Sequence, residues 1–82
     1  MVVVDFISID DVKAVFEYRP DSETSAPGII EININSGEPR LIKKSPDDDM
    51  PDTTWYVPHA IRCAAEMLQE TPIRSHCVRI WH

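Results

Sequence analysis

Two histidine–cysteine pairs are the groupings whose residue types and spacing suit metal or covalent chemistry. His59 and Cys63 stand four residues apart, and His76 and Cys77 are adjacent. A four-residue step on a helix puts two side chains on neighbouring turns of one face. Zinc accepts such a mixture of imidazole nitrogen and thiolate sulfur. A thiol within reach of an imidazole also serves as a nucleophile. Adjacent strand residues point to opposite faces, however, so His76 and Cys77 do not easily reach one ion. No glycine-rich turn flanks either cysteine to hold an oxyanion. Cys63 lies in an apolar stretch and reads as a small, half-buried hydrophobe. A metal-binding or thiol-dependent protein using His59, Cys63 and His76 is therefore an alternative that stands behind ordinary packing.

The second grouping is the run Asp47, Asp48 and Asp49, with Asp52 close behind. Carboxylate oxygens suit divalent cations, but the run lacks the spacing and the central glycine of an EF-hand loop. Paired carboxylates work as acid and base only where their surroundings split their pKa values, and the sequence offers no such environment. Gly28 and Gly37 are the only glycines and are isolated. There is no phosphate-cradling loop, which removes most nucleotide-dependent enzymes. The expectation is a protein that is not an enzyme and carries no cofactor.

Charge is the stronger signal. The 82 residues carry 14 acidic and 8 basic side chains, a net charge of −6. Residues 1–53 hold −7 of this and residues 54–82 hold +1. Binding phosphate needs clustered Lys and Arg, so a direct nucleic-acid binder is not expected. A solvated acidic surface explains such a balance, and so does a basic partner. Two cysteines make no disulfide framework. No apolar run approaches the roughly 18 residues that would span a bilayer. The N-terminal MVVVDFISID does not resemble a signal peptide. These features suggest a cytoplasmic protein with free thiols.

The elements that must position these residues follow from periodicity. Residues 55–70, WYVPHAIRCAAEMLQE, have helical spacing. Val57, Ala60, Ile61, Ala64 and Leu68 form one stripe, widened by Met67 and Ala65. Asp52, Thr53 or Thr54 suits the N-cap, the aspartates ahead of the helix complement its dipole, and Pro58 fits its first turn. Thr71-Pro72 ends it.

The remainder reads as strands. Residues 2–9 are rich in β-branched and aromatic side chains. Val2, Val4 and Phe6 face one way, and Val3, Ile7 and Ile9 the other with Asp5, which suggests an internal strand. Asp10-Asp11 makes a hairpin turn, although a helix starting near Ser8 or Asp10 competes. Residues 12–19 resume the alternation, with Val12, Ala14, Phe16 and Tyr18 on one face. Residues 20–27 form a polar loop. Residues 29–35 place Ile30, Ile32 and Ile34 toward the core. Residues 40–44 return as an edge strand, marked by Pro39 and Lys43-Lys44. Residues 73–81 are a last strand, with Cys77, Arg79 and Trp81 sharing a face.

The order is β-β-β-β-α-β in a single domain, 1–82. The expected fold is α+β: a two-layer sandwich of a mostly antiparallel sheet of about five strands with one helix on one face. The functional expectation is a small acidic protein-binding module. Asp21, Glu23, Asp47, Asp48, Asp49, Asp52 and Trp81 would engage a basic protein partner. An inhibitor, immunity protein or antitoxin that neutralises a nuclease or toxin is the physical analogy. Homodimerisation through a strand edge or the uncovered sheet face is a further alternative.

Overall fold

The hairpin that opens the chain shows how local chemistry sets the sheet. In a computed structural model describing residues 1–50 and 55–81, β1 (Val2–Ile9) turns into β2 (Lys13–Pro20) through Asp10. The Asp10 carboxylate accepts the Val12 and Lys13 amides, both at 2.8 Å. Those two bonds hold its carboxyl below the usual range. This side chain stands in for a backbone turn, and the competing helix start is not realised. β3 (Gly28–Asn33) and β4 (Pro39–Lys43) complete a meander, followed by α1 (Tyr56–Leu68) and β5 (His76–Arg79). The expected caps Asp52, Thr53 and Thr54 lie outside the described residues. Trp55 occupies the N-cap position without a side-chain cap bond, and the first turn contains no acidic residue. Asp47, Asp48 and Asp49, the described aspartates ahead of the helix, lie in the loop before it.

Among the described residues the sheet has the order β4-β3-β2-β1-β5, with every neighbour antiparallel. The chain is an α+β fold with one helix packed against a five-stranded sheet, as its periodicity suggests. β1 is internal and β4 lies at an edge, both as expected. β5 forms the other edge, pairing with β1 alone.

One register shift changes a face assignment. Phe6 pairs with Phe16, but the next partner of Val15 is Ser8, so Ile7 is an extra residue on β1. Such a bulge breaks strict alternation. Ile9 then falls opposite Ala14, on the helix side rather than with Val3 as the simple alternation implies.

The core lies between α1 and one face of the sheet. Val2, Val4, Ala14, Phe16, Tyr18, Ile30 and Ile32 meet Tyr56, Val57, Ala60, Cys63, Ala64 and Met67. Phe6 and Phe16 add an edge-to-face ring contact at 5.8 Å. Fully burying one such large apolar side chain contributes about 1.5–3 kcal/mol. The helix rests chiefly on β1 and β5. This rolls its buried stripe toward Cys63 and Met67, leaving Ile61, Ala65 and Leu68 half-buried. The stripe read from hydropathy is off by this rotation because the helix turns Cys63, read as half-buried, fully onto the edge strand β5. No helix among the described residues is long and apolar enough to cross a membrane.

Candidate functional site

The two acidic loops, residues 21–27 and 44–50, meet at one end of the sheet, and Tyr18 is the post between them. At the end of β2, the Tyr18 hydroxyl donates to Asp48 Oδ2 at 3.0 Å and accepts the Ser45 amide at 3.0 Å. The ring gets there by crossing Gly28, its cross-strand partner. A Cβ at Gly28 would sit 2.2 Å from Tyr18 Cε1 and 2.6 Å from the Ser45 nitrogen. Glycine is required for that close approach, a need set by the neighbouring ring and not by a turn.

The loops are then stitched to each other. Asp47 accepts the Ala26 amide at 2.7 Å, and the Ser45 hydroxyl donates to the Ala26 carbonyl at 2.5 Å. Lys44 donates to the Met50 carbonyl at 2.5 Å. Asp21, at φ 61°, takes the left-handed conformation that short polar side chains tolerate. Its carboxylate accepts the Tyr56 hydroxyl and lies 3.2 Å from the N-terminal amine. The Tyr56 bond holds Asp21 below the usual carboxylate range. The same bond, helped by burial, pushes Tyr56 up to about 12.

These bonds divide the carboxylates expected to meet a partner. Asp48 is 6% exposed and is a strut under the loop, so its charge faces inward. Asp21 and Asp47 are exposed but also tie backbone or ring. Glu23 and Asp49 are exposed. Asp52 lies outside the described residues.

Beside the loops stands an aromatic cluster. Trp55, Tyr56 and Trp81 pack edge-to-face with centroids 5.8–6.4 Å apart. Trp81 also stacks on His59 at 3.9 Å and 12°. The Arg79 guanidinium donates to His59 Nδ1 at 3.1 Å, which requires that nitrogen to be unprotonated. Burial, then the charges of Arg79 and Arg62, hold His59 below its ordinary value. Trp81 is half-buried and Trp55 is exposed. Trp81 is therefore part of a cluster spanning the start of α1 and the end of β5.

The thiol and imidazole groups sort differently from the trio His59, Cys63 and His76. Cys63 Sγ meets Cys77 Sγ at 3.3 Å in the core. His76 is on the opposite face of the sheet, 2.7 Å from Asp5 and 3.5 Å from Glu23. No set of three or more His, Cys, Asp or Glu side chains is close enough to hold a metal among the described residues. The sequence did contain a signal for the thiol pair. The helix steps from His59 to Cys63 while the chain steps from Cys77 in β5 to Trp81 just beyond it, and antiparallel packing matches Cys63 with Cys77 and His59 with Trp81. Only the strand order puts β5 beneath that part of α1.

Compared with protein-family models, with curated proteins and with solved structures, the chain matches none.

Proposed function

We propose that this protein is a binding module whose acidic end engages a basic protein partner. The observation that carries the reading is the convergence of both acidic loops on one end of the sheet, next to the Trp55–Trp81 cluster. Glu23 and Asp49 supply exposed negative charge there, and Asp21 and Asp47 add to the field while holding the loops in shape. Opposite potentials speed encounter and set orientation. Exposed tryptophan beside such charge supplies the large, rigid contact area on which interface energy concentrates. Asp48 contributes by fixing the loop, not by touching the partner. Within this class, an inhibitor, immunity-type protein or antitoxin that occupies the phosphate-binding cleft of a nuclease or toxin is the form the charge suggests.

The test is a titration with an arginine-rich peptide followed by amide chemical shifts, alongside capture from native lysate at low and high salt. Saturable shifts at Glu23, Asp49, Trp55 and Trp81 are expected. Glu23→Gln with Asp49→Asn should weaken binding roughly tenfold at low salt, and the loss should shrink as salt screens the pair. Shifts spread evenly over the surface, or an unchanged affinity in the double variant, would refute the proposal.

A further inference from the structure

The seam between α1 and β5 holds a pair of sulfurs that the binding reading does not use. Cys63 and Cys77 lie 14 residues apart in the chain with Sγ atoms 3.3 Å apart, and they are 1% and 6% exposed. We propose that these two thiols are a modification site: they form a reversible intramolecular disulfide on exposure to hydrogen peroxide, fastening β5 and Trp81 to α1.

Geometry is the first argument. A disulfide holds its sulfurs about 2.05 Å apart, so closure asks for an approach of about 1.2 Å. Small rotations of two short side chains, with some give in a four-residue edge strand, cover that distance. β5 pairs with β1 alone and ends two residues before Trp81, so no second strand resists its adjustment. Local opening of such an edge also admits a small oxidant, whereas a bulky one is kept out.

The environments of the two sulfurs assign the order of events. Cys77 is the more exposed and accepts a hydrogen bond from the half-exposed Arg74 guanidinium at 3.5 Å. It meets peroxide first. Burial, and then Cys77 itself, push the Cys63 thiol up to about 12, so Cys63 holds its proton until it reacts. The Cys77 thiolate attacks one peroxide oxygen, the O–O bond breaks, and hydroxide leaves and takes up the thiol's proton as water. Cys77 is then a sulfenic acid. Cys63 sulfur attacks Cys77 sulfur, the S–O bond breaks, and the hydroxyl departs with the Cys63 proton as a second water. Two thiols and one peroxide give one disulfide and two waters.

The bond would close a loop spanning residues 63–77 and cross-link the helix to the strand that carries Arg79 and Trp81 toward His59. Oxidation would thereby hold the aromatic cluster in place.

The test treats the purified full chain with hydrogen peroxide, quenches it, and maps its peptides without reduction. The expected result is a monomer lighter by two hydrogens, a linked Cys63–Cys77 peptide, and no alkylatable thiol until dithiothreitol is added. The melting temperature should rise by at least about 5 °C on oxidation, because the cross-link constrains the unfolded chain. In Cys63→Ser the Cys77 sulfenic acid should persist and be trapped by dimedone. If that variant does not fold, the wild-type peptide map decides alone. Intermolecular disulfides, sulfinic or sulfonic acid without the internal link, or thiols that react only in urea would overturn the proposal.

Discussion

On the face beneath α1, Val2, Val4, Ala14, Phe16, Tyr18 and Ile30 are fully withdrawn from water. One residue along the strands, on the other face, charged pairs stand among apolar residues such as Val15, Ile29 and Val78. Lys13 and Arg40 flank Glu31 at 3.6 and 3.7 Å, Arg19 meets Glu17 at 3.3 Å, and Asp5 meets His76 at 2.7 Å. Yet Val3, on that second face, is only 1% exposed. It pairs with Arg19 on one side and Val78 on the other, and Glu23 reaches across to His76. Val3 is thus buried without a helix above it, between Arg19 and Val78 on its neighbouring strands. The difference teaches where the stability resides. The covered face is held by burial, which Debye screening does not weaken, and the open face carries ion pairs that water and salt weaken.

The largest expected effect is therefore on the covered face. Phe16→Ala should cost about 3–5 kcal/mol. A domain of this size has about 4–12 kcal/mol in all, so the variant should melt far below the wild type or fail to fold. A small loss in urea titration would mean that the two faces are not unequal in the way described.

Next comes the post between the loops. Tyr18→Phe keeps the ring over Gly28 but leaves Asp48 and the Ser45 amide without the hydroxyl, at about 1–3 kcal/mol. Amide exchange should quicken at Ser45 and Asp48 before it does in the sheet. Equal quickening throughout would show the bond to be a global rather than a local brace.

The titrating contacts should respond in opposite directions. Tyr56 is raised to about 12, so its bond to Asp21 adds stability that is complete below pH 10 and fades as the pH climbs through 12. Asp21 is lowered from 3.8, so its share is present above that pH and fades as acid carries it through its lower folded value. His59 is lowered from 6.5, so the neutral-ring contribution is present above 6.5 and fades as the pH falls below it. Tryptophan emission should change over this last window as Trp81 loosens, and His59→Ala should erase that step. Persistence of the step in the variant would assign it to another group.

The smallest effect belongs to the open face. Glu31→Gln should change stability by no more than about 1 kcal/mol, with the difference vanishing in high salt. A larger, salt-independent loss would mean that this face has a buried polar core of its own.

Periodicity carried most of the fold. Period-two stretches marked the strands, Asp10 marked a turn, and a single 3.6-residue stripe marked the helix to within two residues of its observed ends, because backbone geometry dictates which neighbours share a side. The site was less legible. The sequence identified the acidic residues as a group but not their division into Asp48, turned inward onto Tyr18, Glu23, paired with His76, and Asp49, exposed at the surface. It held the cysteines as separate residues and grouped Cys63 with His59 and His76 instead. Ile9 changed sides because one extra residue in β1 reset the alternation. Strand order, the roll of α1 toward β5, and the meeting of Cys63 with Cys77 belong to the tertiary structure alone. Local patterns record which face a side chain occupies, whereas pairing between distant segments depends on which surfaces bury together, and that is decided only when the whole core closes.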